Sequence, residues 1–149
     1  MVSYGFRRME KLMPRVLIVD DSDIFRRSVR AILESRHGCE VCGEADNGED
    51  AARFAQELRP DAIVMDISLP GINGIEATRA VRLKLPDAKI VVMSLHNSKE
   101  LVKAIKTAGA SAYVLKSSAD PDLLDAIYAV ARNEFYVSPA VRWEMAKGA

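Results

Sequence analysis

Four short apolar runs each end in a charged or hydroxyl-bearing residue, and that pattern restricts the fold more than any other feature of the chain. Val16-Leu17-Ile18-Val19 runs into Asp20-Asp21, Ile63-Val64-Met65 into Asp66, Ile90-Val91-Val92-Met93 into Ser94, and Tyr113-Val114-Leu115 into Lys116. Strands of a parallel sheet covered by helices on both faces are buried twice over, so they read as continuous apolar runs. Such sheets collect ligands at the carboxyl ends of their strands. If these runs are neighbouring strands, three carboxylates, a hydroxyl and an ammonium converge on one rim.

Strand and helix alternate five times, which predicts an open α/β sheet. The first helix carries Ile24, Ser28, Val29, Ile32 and Leu33 at helical spacing and stops near His37-Gly38. The second strand, about Glu40 to Ala45, is shorter and more polar, as suits an edge. Asn47 is an N-cap ahead of Ala51, Ala52, Ala55 and Leu58, and Pro60 closes that helix. Gly74 leads into a helix ended by Pro86. Asn97 with Glu100 has capping-box form, and Gly109 stops the helix that follows. Asp120-Pro121 reads as an N-cap with proline at the first helical position.

At 149 residues the chain is most simply one domain. Residues 1–13 read as a loosely ordered N-terminal extension, 14–132 as the domain, and 133–149 as a tail or the start of a linker. The formal net charge is +0, with 21 basic and 21 acidic residues, which argues against strong nucleic-acid binding by this chain alone. No apolar stretch approaches a membrane span, and Met1 to Met13 has no apolar core of a secretory signal. A cytoplasmic protein is expected. Cys39 and Cys42, with His37, offer too few ligands for a closed zinc site and read as buried thiols.

Any single aspartate after a strand is best read as a turn or cap residue. Three that converge repel one another, and a hard divalent cation relieves that cost. Mg²⁺ takes oxygen ligands, so Asp20, Asp21 and Asp66 are candidates for it. A carboxylate such as Asp66 can also attack phosphorus and form an aspartyl phosphate. The transferring group needs positive charge, which Lys116 and the metal would supply, while Ser94 offers a hydroxyl donor. On its own residues Tyr113 reads as a core aromatic with its hydroxyl near the surface, and His96 as a loop residue.

The segments VLIVDDSD, AIVMDISLPGINGIEATR, VVMSLH and GASAYVLKSSAD together resemble the receiver domain of bacterial response regulators, over about residues 14–132. The resemblance implies a flavodoxin-like, doubly wound, five-stranded parallel sheet of order 2-1-3-4-5. It implies that Asp66 accepts a phosphoryl group from a sensor histidine kinase. Asp20 and Asp21 match the acidic pair; Mg²⁺ would be held by Asp21, Asp66 and the backbone carbonyl of Ser68. Lys116 matches the family lysine, Ser94 the switch hydroxyl and Tyr113 the switch aromatic that turns inward after phosphorylation. Ser117 stands where many receivers have proline, so a cis bond after Lys116 is not expected. DLLDAIYAVARNEFYVSPAV is similar to the NarL/FixJ subgroup, in which a helix-turn-helix domain follows a linker opening at Ser-Pro. The chain then reads as part of a longer transcription regulator, with a stand-alone receiver as the alternative. A homodimer contact through the fifth helix and Tyr128 is a further option.

Two other readings compete. Asp21-Ser22-Asp23 has the Asp-x-Asp form of haloacid-dehalogenase phosphohydrolases, although Ile24-Phe25 replaces the expected small pair and Asp66 would have no task. A receiver-like interaction module without phosphorylation is the second. A P-loop is unsupported, since Gly71-Ile72-Asn73-Gly74 lacks the Gly-Lys-Ser/Thr that should follow.

Overall fold

The computed structural model describes residues 13–35 and 38–147. The expected N-terminal extension, apart from Met13, and His37 of the zinc reading lie outside the described residues. The elements alternate as β1 (Arg15–Val19), α1 (Asp23–Glu34), β2 (Glu40–Ala45), α2 (Gly48–Leu58), β3 (Ala62–Asp66), α3 (Gly74–Lys84), β4 (Lys89–Ser94), α4 (Lys99–Ala108), β5 (Ala112–Leu115), a 3₁₀ turn (Lys116–Ser118), α5 (Ala119–Ala131), β6 (Tyr136–Val137) and α6 (Pro139–Lys147).

The sheet is parallel, in the order β2-β1-β3-β4-β5-β6. The flavodoxin-like order 2-1-3-4-5 is therefore observed, with β2 at an edge. A sixth strand extends the five expected. Tyr136 pairs with Ala112 and Val137 with Tyr113, a two-residue strand too short to signal itself by periodicity.

Successive strand residues feed opposite faces, as the pleat requires. Leu17, Val19, Ile63, Met65, Ile90, Val92, Tyr113 and Leu115 join one core layer with residues of α2, α3, α4 and Val141 of α6. Val16, Ile18, Ala62, Val64, Val91, Met93, Ala112 and Val114 join the other with α1 and α5. This double burial explains why the four central runs show no polar alternation.

The helices begin and end where backbone groups find partners. Asn47 accepts from the Asp50 amide at the start of α2. Asn73 and Glu76 form a reciprocal capping box on α3. On α4 the cap is Ser98, which accepts from the Leu101 amide, rather than Asn97. Gly109 ends α4 at φ 105°, a left-handed conformation that glycine adopts without steric cost. Along α1, Val29 and Leu33 face inward, but Ile24 is 76% exposed and Phe25 takes the inward place. The cis peptide lies at Asp120–Pro121, not after Lys116, and the extended Asp120 interrupts the helical run.

The β1–β2 ladder slips between Val16 and Leu17, so Cys42 opposes no residue of β1. Both thiols are free. Cys39 is buried, and burial pushes its pKa up to about 11, as for an inert core thiol.

Candidate functional site

β1 and β3 lie side by side, and the residues that terminate them stand at one end of the sheet. Asp20 and Asp66 are 3% and 4% exposed, whereas Asp21 is exposed. Each of the three offers a carboxylate oxygen, and these oxygens lie within 4.8 Å of one another. Lys116, at the end of β5, reaches back across the sheet. Its Nζ is 2.9 Å from Asp20 Oδ2 and 3.2 Å from Asp66 Oδ2.

The loops hold these groups still. The Ser22 amide donates to Asp20 Oδ1 at 2.9 Å, and the Ser68 amide donates to Asp66 Oδ1 at 3.1 Å. Arg26 of α1 donates to the Asp20 carbonyl and pairs with Glu44 of β2, tying the acidic turn to the sheet edge. At Gly74, a Cβ would meet the Asp66 carbonyl oxygen at 2.4 Å and Ile67 Cα at 2.6 Å. Only a residue without Cβ lets α3 start so close to the end of β3.

Burial, the largest influence, raises the Asp66 pKa above its ordinary value of 3.8. The Asp20 charge adds to it, while the Ser68 amide and Lys116 oppose it. A carboxylate so placed stays partly desolvated and gains from any added positive charge.

Strand parity sorts the remaining residues. Asp66 follows Ala62 and Val64 in the two-residue repeat facing α1 and α5, and Asp20 and Lys116 continue the matching repeats of β1 and β5. Ser94 follows Ile90 and Val92, which face the other side. The Ser94 hydroxyl is fully buried and accepts from the His96 amide at 3.0 Å. Tyr113 is also fully buried, and its hydroxyl donates to the His96 carbonyl. Burial raises its pKa, with the Ser94 hydroxyl and the Ser98 backbone opposing. Tyr113 is thus held in the core with its hydroxyl bonded to the loop after β4. Asp20, Asp21, Asp66 and Lys116 gather in one group; Ser94 and Tyr113 form a second beside it, linked by His96.

Four contributors escaped the sequence reading: Phe25, Arg26, Gly74 and Ser138. The Lys116 Nζ lies 4.2 Å from the centre of the Phe25 ring. Ser138 is fully buried; its amide donates to the Tyr113 carbonyl at 2.9 Å and its hydroxyl accepts from the Leu115 amide at 3.0 Å. Gly74, at a predicted helix start, and Ser138, in the Ser-Pro pair read as a linker opening, carried sequence signals; Phe25 and Arg26 act across distances that local spacing does not encode. Tyr128 uses its hydroxyl within the chain, donating to the Gly38 carbonyl at 3.1 Å.

A parallel doubly wound sheet of this strand order, with an acidic cluster and one lysine at its strand ends, places the chain in the flavodoxin-like α/β class. Residues 16–128 match the response regulator receiver domain, and the chain belongs to that family. Its relatives set it among the NarL/FixJ-like receivers. It is 37% identical over 134 residues to response regulator GacA of Pseudomonas aeruginosa, covering 90% of this chain and 63% of that protein. It superposes with a TM-score of 0.87 on a LuxR-family two-component response regulator from Aurantimonas sp. SI85-9A1, at 38% identity over 91% of this chain and 97% of that one. The receiver domain of the putative response regulator NarL from Mycobacterium tuberculosis gives 0.75 at 30% identity, covering 80% of this chain and 97% of that one. The chain spans less than two thirds of the length of GacA. Among the described residues no helix is long and apolar enough to cross a membrane.

Proposed function

We propose that Asp66 accepts a phosphoryl group from a phosphohistidine of a sensor kinase, and that the resulting change controls transcription through a DNA-binding domain elsewhere in a longer regulator. One observation carries this reading: Asp66 is buried within reach of two further carboxylates and is paired with a lysine at 3.2 Å. Three carboxylates supply the hard oxygen donors that Mg²⁺ prefers. Asp20, Asp21, Asp66 and the Ser68 carbonyl are the proposed holders. The ion, when bound, supplies positive charge for the phosphoryl oxygens.

The chain's own groups do the rest. An Asp66 carboxylate oxygen attacks phosphorus as the bond to the donor imidazole nitrogen breaks, and that nitrogen keeps the electron pair. The Ser68 amide and Lys116 hold Asp66 in place for the attack. Lys116 then turns its charge from the carboxylates toward the phosphoryl oxygens. Ser94 donates a hydrogen bond from its hydroxyl to one of these, which draws on the Ser94–His96–Tyr113 linkage. Phosphoryl transfer to Asp66 is thus assisted by the protein itself.

The phosphohydrolase reading has less support. Asp23, its second aspartate, sits in the first turn of α1 with its side chain 75% exposed and paired with Arg26. Acetyl phosphate with Mg²⁺ separates the readings. Label should be retained on Asp66 and vanish in Asp66→Asn. Label that survives in Asp66→Asn and depends on Asp21 instead would reverse the assignment. A wild-type chain that takes up no label and gives no spectral response to beryllofluoride would favour the interaction module.

A further inference from the structure

We propose that Phe25 is a positioning residue for Lys116: its ring packs against the ammonium that the two carboxylates hold and fixes where that charge rests. The inference rests on the reading of Asp66 as phosphoryl acceptor and adds a residue to it.

The Lys116 side chain is only 12% exposed, and its ammonium has three donors. Asp20 and Asp66 oxygens engage two of them, at 2.9 and 3.2 Å. The Phe25 ring centre lies 4.2 Å from the same nitrogen, inside the range of a cation–π contact. Lysine is a flexible four-carbon stem with a strongly hydrated tip, so a defined seat requires a wall as well as counter-charges.

The position of that wall is itself controlled. Asp20 Oδ1 accepts from the Ser22 amide, and Ser22 Oγ accepts from the Phe25 amide at 3.1 Å. One turn therefore fixes both the carboxylate and the ring that flank Lys116. The neighbouring apolar residue, Ile24, points to solvent, while Phe25 packs on the α1–α5 side of the sheet. That is the face to which strand parity assigns Asp20, Asp66 and Lys116.

When a phosphoryl group arrives, Lys116 must exchange a carboxylate for an anionic phosphoryl oxygen. The ring remains a constant partner through that exchange, so its loss should affect phosphoryl binding more than metal binding. Simple apolar packing predicts no such split.

The test uses the whole chain as wild type, Phe25→Leu and Phe25→Tyr, with ¹³C-labelled lysine. Lys116 Hε resonances should be shifted upfield by the ring in wild type and Phe25→Tyr, and return to ordinary values in Phe25→Leu. Beryllofluoride affinity should fall about threefold to tenfold in Phe25→Leu and recover in Phe25→Tyr, as expected for a contact of cation–π strength. Mg²⁺ affinity should change less than about twofold, since no metal donor is altered. A Phe25→Leu protein with an unchanged Lys116 shift, or with unchanged beryllofluoride affinity, would overturn the proposal. So would a Phe25→Tyr protein as impaired as Phe25→Leu. Should wild type take neither label nor beryllofluoride, the acceptor reading fails and the proposed role with it, although the lysine shift would still report the seat separately.

Discussion

Lys116 and Asp20 form an ion pair of 2.9 Å although 96 positions separate them in the chain. The pair is nearly dry, and the same ammonium reaches Asp66. Removing it leaves two buried carboxylates facing each other. Lys116→Met, which keeps the stem and removes the charge, should cost about 3–5 kcal/mol at neutral pH. Millimolar Mg²⁺ should recover part of that loss by replacing the missing charge. Urea unfolding with and without Mg²⁺ measures both, and an equal loss in the two conditions would contradict the electrostatic account.

The raised pKa of Asp66 fixes a sign for pH dependence. Between the unfolded value, near 3.8, and the higher folded value, the folded protein holds a proton that the unfolded chain has released. Stability from this group therefore falls as pH rises through that window, and stays lower above it. Asp66→Asn removes the liability. Its urea midpoint should exceed that of wild type near neutral pH, and the gap should narrow as pH falls toward the ordinary carboxylate range. A constant gap would show that burial of the charge is not the cause.

Gly74→Ala places a methyl group 2.4 Å from the Asp66 carbonyl oxygen, in contact with backbone that cannot swing away. Either α3 or the end of β3 must move. We expect a loss of about 1–3 kcal/mol, the usual cost of overpacking. Affinity for beryllofluoride should fall with it, because the shift bears on Asp66. Unfolding midpoints and beryllofluoride titration report the two effects.

Ser138 ties the C-terminal segment to β5 by two hydrogen bonds that flank Val114. Ser138→Ala leaves the buried Leu115 amide without its acceptor, at a cost of about 1–3 kcal/mol. Amide exchange should quicken at Leu115 far more than at Val91 in the centre of the sheet. Uniform acceleration would mean that the clasp is not local.

The sequence alone determined five of the six strands, their parallel packing and the residues at their ends. Apolar runs buried on both sides leave no polar alternation, and each run stops where chemistry begins, as at Asp66 and Lys116. These are local properties of the chain, and solvent exclusion writes them directly into residue order. Tertiary structure alone decided which ends meet: pleat parity directs Asp20, Asp66 and Lys116 to the α1–α5 side, and Ser94 with Tyr113 to the other. It also exchanged Ile24 for Phe25 on the inner face of α1 and added β6, which two residues could not announce. Helical periodicity leaves the rotation of a helix free by one residue; only packing against the sheet fixes it, and with it the ring that faces Lys116.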